Sequence, residues 1–171
     1  MLSEYNPFKT AISRNCLSVP MRELVNLNIF NLTDKCIDIG CGKGQDVTFL
    51  RYLGVNIVGY DKYNPKFNDD KLLDSTYDLI TCNYVFNVID LDEHKNLLNK
   101  INKLSDNIYI SVRSDTRAIK YNWKYIEEND YWLTSKNTYQ RFYTEEMVNK
   151  YFGQVEYIIN NSSLKLFKLY K

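Results

Sequence analysis

The chain has 171 residues, a length that fits one domain built on one core. With 22 Lys and Arg against 21 Asp and Glu, the formal charge is only +1, which excludes a generic field-driven binder of nucleic acid or membrane surfaces. Hydrophobic residues at 44% and charged residues at 25% exclude the disordered, collagen-like and disulfide-scaffold classes. Residues 1–17 read as polar and irregular, and Met1–Pro7 shows no basic leader running into an apolar stretch. No later run reaches the ~20 apolar residues of a membrane span, so the expectation is a cytoplasmic protein with no membrane partner. Cys16, Cys36, Cys41 and Cys82 have no CxxC spacing and only His94 to join them, so they read as reduced thiols rather than a metal site or a disulfide framework.

Ser18 caps a helix expected over 19–29, with Pro20 in its first turn and Met21, Leu24 and Val25 at helical spacing. Cys36–Ile39 is a short apolar strand broken by glycines. Val47, Phe49, Leu50 and Leu53 then recur helically until Gly54, and Asn56–Tyr60 reads as a second strand. The order repeats with a strand over Tyr77–Cys82, a helix opened by the capping-box pair Asp90 and Glu93, and a strand over Ile108–Val112. Such alternation predicts a parallel sheet with helices on both faces. Residues 114–143 lose the pattern and are dense in Tyr and Trp; Thr144 then starts a helix, and Val155–Ile159 with Leu164–Tyr170 form an antiparallel pair around Asn160-Asn161-Ser162. The expected fold class is therefore α/β, a Rossmann-like doubly wound sheet, mostly parallel with an antiparallel carboxyl-terminal strand. The expected organisation is one domain, with a helical cap (1–34), a core (35–113), an aromatic lid (114–143) and a closing helix and hairpin (144–171).

Asp38-Ile39-Gly40-Cys41-Gly42-Lys43-Gly44 sits between a strand and a helix, where absent side chains let a ligand lie against backbone N–H groups. A dinucleotide G-x-G-x-x-G counted from Gly40 would need glycine at Gln45, which disfavours a nicotinamide oxidoreductase, and no Gly-Lys-Ser/Thr completes a P-loop. An acid ending the first strand and a second, Asp61, after the next strand leave a nucleoside site without a pyrophosphate requirement, because a carboxylate at that separation can take both ribose hydroxyls.

Asp38–Gly44 together with Asp61 resembles motifs I and II of the class I S-adenosylmethionine-dependent methyltransferases. The resemblance implies S-adenosylmethionine as cofactor, with Gly40, Cys41, Gly42, Gly44 and Asp46 along its methionine portion, Asp38 on its amino group, and Asp61 and its neighbour Lys62 at the ribose. Ala11-Ile12-Ser13-Arg14, Leu17–Pro20, Gly59–Asp61, Tyr84–Ile89 and Ser111–Arg113 are similar, over about residues 9–113, to the methyltransferases associated with DNA phosphorothioation systems. Only 15 residues separate Asp61 from Tyr77, too few for the family's usual helix and strand bearing an adenine-contacting acid. The region between Asp61 and Tyr77 is thus trimmed, and Asp69 or Asp70 either substitutes or is a solvated loop pair. Arg14 either pairs with the cofactor carboxylate or makes a surface ion pair.

Chemistry is expected at the carboxyl end of the third strand, near Asn83–Asn87. Asn83-Tyr84-Val85-Phe86 keeps the outer residues of the Asp/Asn-Pro-Pro-Tyr/Phe motif of amino-group DNA methyltransferases and lacks both prolines. Asn83 and Tyr84 are therefore candidates for the cofactor side, and Tyr84, Asn87 and Arg113 for the catalytic side, with Arg113 orienting an anionic or polar acceptor. A cytosine C5 mechanism is disfavoured because Cys82 lies inside the strand, and His94 reads as a packing residue. Arg117, Lys120 and Lys124 interleave with Tyr121, Trp123, Tyr125, Tyr131 and Trp132, which reads as a substrate lid ahead of a structural cluster. The resemblance ranks a nucleic-acid base first as methyl acceptor and a small molecule close behind. The rival reading is a non-catalytic S-adenosylmethionine-binding subunit with a protein partner in a DNA-modification assembly.

Overall fold

The computed structural model describes residues 6–170. The irregular lead expected from the first residue onward thus lies outside the described residues over 1–5. A first helix, α1 (Val19–Asn26), buries Pro20, Met21 and Leu24. It stops three residues before the expected end because Asn28 takes a left-handed conformation, φ 55°. The Asn28 N–H then bonds Val25 O and the Ile29 N–H bonds Leu24 O, both at 3.0 Å, which closes the last turn as a Schellman motif.

The strands β1 (Cys36–Ile39), β2 (Ile57–Tyr60), β3 (Leu79–Asn83) and β4 (Ile108–Arg113) alternate with the helices α2 (Gln45–Tyr52) and α3 (Leu91–Leu104). The Asp90 carboxylate accepts the Glu93 N–H at 2.7 Å, the cap its sequence position implies. After β4 come three short strands, β5 (Lys124–Ile126), β6 (Tyr131–Leu133) and β7 (Tyr139–Gln140), then α4 (Glu145–Phe152) and the hairpin β8 (Val155–Asn160) and β9 (Leu164–Leu169).

The main sheet has six strands in the order β2-β1-β3-β4-β9-β8. Its first four strands are parallel, whereas β9 pairs antiparallel with β4 and β8 antiparallel with β9. Alternate residues feed two cores. Ile37, Ile39, Ile80, Ile110 and Val112 pack with Ile101 of α3 and Val148 and Phe152 of α4, and Cys36 and Leu79 pack with Met21 and Leu24 of α1 and Val47 and Leu50 of α2. The chain leaves β1 toward β2 on one side and returns to β3 on the other. A crevice therefore opens above the carboxyl ends of β1 and β3, where an open α/β sheet binds its ligand.

The trimmed region is visible as an edge. Between β2 and β3 the chain forms only a 3-10 turn over Asp70–Asp74, so β2 borders the sheet. Arg51 Nε donates to Ile57 O at 2.7 Å, which occupies one of the carbonyls on this short edge strand. Among the described residues, no helix is long and apolar enough to cross a membrane.

Candidate functional site

Twelve of the thirteen residues singled out from the sequence line one cleft of about 860 Å³: Arg14, Asp38, Gly40, Cys41, Gly42, Asp46, Asp61, Lys62, Asn83, Tyr84, Asn87 and Arg113. Gly44 is the exception. Its φ of +75° and the Phe67 ring, which occupies the space a Cβ would need, make it the packed start of α2 rather than a wall of the cleft. Gly40 does face the cleft, and a Cβ there would collide with Val85 Cγ2 at a φ of +73°, so the turn after β1 admits no side chain.

The inner end of the cleft is acidic. Asp38, 3% exposed at the end of β1, accepts the Thr81 hydroxyl at 2.8 Å. Burial pushes its carboxyl well above the usual range, the charges of Asp46 and Asp61 add to the effect, and the Thr81 hydroxyl and Arg14 oppose it. Asp61 holds the loop, its Oδ2 accepting the Gly42 N–H at 2.8 Å and its Oδ1 the Tyr63 N–H at 2.9 Å. Asn64 completes the tie by donating to Gly42 O at 2.6 Å. Burial raises the Asp61 pKa while these backbone donors lower it. Asp46, at the start of α2, accepts the Ser18 N–H at 2.7 Å and so fixes the entry to α1 as well as lining the cleft.

Along the rim beside Asp61, Lys62 Nζ lies 2.9 Å from Glu93 Oε1, and the Tyr63 hydroxyl donates to the same carboxylate. Glu93, Leu73 and Leu97 join this wall, whereas Asp69 and Asp70 do not line the cleft. Asp69 instead caps its own turn and Asp70 accepts the Tyr60 hydroxyl at 2.7 Å, so neither takes the place of an adenine-contacting acid.

At the end of β3, Asn83 Oδ1 accepts the Ser111 hydroxyl at 2.7 Å, and its Nδ2 is buried without a partner. Tyr84 follows with φ at 62°, a left-handed conformation that a bulky residue adopts at a cost of ~1–3 kcal/mol, and its N–H bonds Ser111 O. Burial raises the Tyr84 pKa, and the charges of Arg14 and Arg113 work against it.

Asn87 requires correction as a catalytic candidate. Its Nδ2 donates to Arg141 O at 2.5 Å and Arg113 O at 3.3 Å, and its Oδ1 accepts the Arg113 N–H at 2.9 Å. Both donors are spent on backbone, so Asn87 positions the chain at Arg113 and Arg141 rather than contacting a reacting atom. His94 is the packing residue expected, 2% exposed against Phe86, Tyr151 and Phe152.

The aromatic lid is also corrected. Tyr125 packs on Trp132 and Tyr131 on Tyr139 within the three-stranded sheet, and from residues 114–143 only Asp115 and Gln140 line the cleft. The sheet is anchored by Arg141, 1% exposed, which donates to Asn129 O at 2.9 Å and Asp130 O at 3.0 Å. The covering segment is the other end of the chain, where Pro7, Phe8, Thr10, Ala11 and Ile12 line the cleft and Lys43 Nζ reaches the Ser13 hydroxyl at 2.7 Å. The sequence pattern missed it because the segment is a single 3-10 turn, Pro7–Thr10, running into extended chain, too short to show a periodicity.

A family described as a methyltransferase domain matches residues 14–157. Among solved structures, the chain is similar to TehB from Haemophilus influenzae, with 12% identity and a TM-score of 0.62 over 96% of this chain, and it spans 65% of that protein's length. It is similar to the glycopeptide N-methyltransferase MtfA complexed with S-adenosylhomocysteine, with 10% identity, a TM-score of 0.57 and 92% of each chain covered. A third is the 1,6-didemethyltoxoflavin-N1-methyltransferase of Burkholderia thailandensis, with 14% identity, a TM-score of 0.56 and coverage of 90% of this chain and 79% of that one. At these identities the likeness is one of fold. No curated protein matches the chain by sequence.

Proposed function

Since the chain belongs to the methyltransferase domain family, we propose that it binds S-adenosylmethionine in the cleft above β1 and β3 and methylates a small molecule held beside Tyr84 and Arg113. One observation carries this reading: Asp38, Asp46 and Asp61 line the same cleft, where burial disfavours the charge of Asp38 and Asp61 and a cationic ligand would be stabilised. The chain's own groups fit such a ligand. Asp38 is an acceptor for an ammonium group, and Arg14, which makes no ion pair among the described residues, is a donor for a carboxylate. The orphaned Asn83 Nδ2 adds a buried donor, and the bare backbone at Gly40 allows close approach. Asp61 keeps lone pairs for two ribose hydroxyls after taking the Gly42 and Tyr63 N–H groups. Tyr63, Leu73 and Leu97 would wall the adenine, with Glu93 as the carboxylate in place of the one the trimmed region lacks.

The cofactor supplies an electrophilic methyl group on a sulfonium. The protein's part is alignment and exclusion of water: the segment over 7–12 lines the cleft with the glycine loop, and Tyr84, in a strained left-handed conformation, feels the charges of both Arg14 and Arg113. A small acceptor is favoured because no aromatic side chain of 114–143 lines the cleft, and Tyr125 with Trp132 and Tyr131 with Tyr139 pack as pairs within the small sheet. The second reading is a nucleic-acid base in a DNA-phosphorothioation setting. It is favoured by the fact that the segment carrying that resemblance contributes Tyr84, Val85, Asn87, Val88 and Ile89 to the cleft.

The test is calorimetry with S-adenosylhomocysteine followed by transfer of a labelled methyl group to small molecules and to duplex and single-stranded DNA. Binding with label in a small molecule is expected. Label in DNA alone would favour the second reading, and absence of cofactor binding would overturn both.

A further inference from the structure

At the outer end of the cleft, Arg113 combines a clamped backbone with an uncommitted head. Its N–H is held by Asn87 Oδ1 at 2.9 Å, and its carbonyl accepts from the Tyr143 N–H at 2.9 Å and from Asn87 Nδ2 at 3.3 Å. Register places it opposite Leu164 on β9, at the start of that strand. Arg113 is half-buried as a residue, its guanidinium lies 5.7 Å from the centre of the Phe142 ring, and it forms no ion pair among the described residues.

Asp115, the carboxylate two residues on, is engaged elsewhere, since its Oδ1 accepts both the Arg117 N–H at 3.0 Å and Arg117 Nε at 2.8 Å. Asn161, Ser163 and Gln140 line the same cleft, and the amide nitrogen of Gln140 is turned to Arg141 O at 3.2 Å. Asn161 Oδ1 is occupied by the N–H groups of Ser163 and Leu164, at 2.9 and 3.0 Å. A guanidinium lying over an aromatic ring, with its forked donors unused and its backbone fixed, is arranged for bidentate recognition of a planar or tetrahedral oxyanion.

We infer that the methyl acceptor carries an oxyanion, a carboxylate or a phosphate, which Arg113 binds at the outer end of the cleft while the acceptor atom points inward past Tyr84. This inference rests on the proposed methyl transfer. The two cations of the site then serve different ligands, Arg14, near Asp38, the cofactor, and Arg113, clamped at the end of β4, the acceptor. The Asn87 clip gains a purpose as well, since loosening it would misplace the guanidinium.

The experiment titrates the protein saturated with S-adenosylhomocysteine, so that Arg14 is already occupied, with benzoate in one series and inorganic phosphate in another. Binding of at least one anion is expected, and the series that responds identifies the headgroup. In R113Q the anion affinity should fall about tenfold or more while the S-adenosylhomocysteine affinity stays within about twofold, as for loss of a charged hydrogen-bond pair outside the cofactor site. R113K, which keeps the charge but not the fork, should fall between the two. Wild-type protein that binds S-adenosylhomocysteine but neither anion overturns this inference alone, as does R113Q binding both anions like wild type. Wild-type protein that ignores S-adenosylhomocysteine overturns the proposed function instead.

Discussion

The Asp61 carboxylate accepts the Gly42 N–H at 2.8 Å, so the acid after β2 and the loop after β1 form one rigid wall before any ligand arrives. The same oxygen pair that would take the ribose also sets the shape of the glycine turn. Asp61→Ala removes both functions and is expected to weaken S-adenosylhomocysteine binding by ~1–3 kcal/mol, about 5- to 150-fold. Asp61→Asn can keep one acceptor and should lose less. Calorimetry on both variants checks the order.

Asn87→Ala opens the clip between β4 and the segment at Arg141. It leaves the Arg113 N–H without its side-chain acceptor and the Arg141 carbonyl with only the Gln140 amide as side-chain donor, and should cost about 2–3 kcal/mol of stability, read from denaturant midpoints. Cofactor affinity should be spared and methyl transfer slowed. Loss of cofactor binding in a folded variant would contradict a role confined to the acceptor side.

Gly44→Ala places a methyl group against Phe67 at a φ of +75°. Destabilisation of about 2 kcal/mol is expected, from the clash and the backbone together. Because the ring is one cause and the dihedral the other, Phe67→Ala in the same chain should relieve the first and leave the second. A double variant no less stable than Phe67→Ala alone would remove the backbone contribution.

His94 makes stability depend on pH in a defined window. Burial, and then the charge of Arg141, push its imidazole from 6.5 down to about 4. Below pH 6.5 the unfolded chain takes up a proton that the folded chain refuses, so stability present above 6.5 is lost as pH falls toward 4, by up to about 3 kcal/mol. The raised carboxyls of Asp38 and Asp61 act in the opposite sense. Comparison with His94→Gln isolates the histidine: the variant should show a shallower loss between pH 6.5 and 4 in urea unfolding.

Local chemistry made much of this legible. The capping pair Asp90 and Glu93, the alternation of β1, α2 and β2, and the glycine turn with its two acids are each written within a few dozen residues, and the cleft gathers them as their spacing implies. The end of α1 carried a readable signal too, because Asn28 is a residue type that tolerates the left-handed region. What sequence could not carry was partnership at a distance. Asn87 reads as a strand-end amide ready for chemistry until the backbone of Arg141, 54 residues on, is found against it. Likewise, Tyr131 and Trp132 read as a stacking surface until the short strands pack them against Tyr139 and Tyr125.

Arg141 bears on how the small sheet can move. A guanidinium stays charged at any ordinary pH, and here it is satisfied by the carbonyls of Asn129 and Asp130 rather than by a carboxylate. Peeling β5–β7 away would strand a permanent cation in a greasy seat, so that ribbon should behave as masonry rather than as a door. Traffic into the cleft would then pass on the opposite side, past the stretch from Pro7 to Ile12.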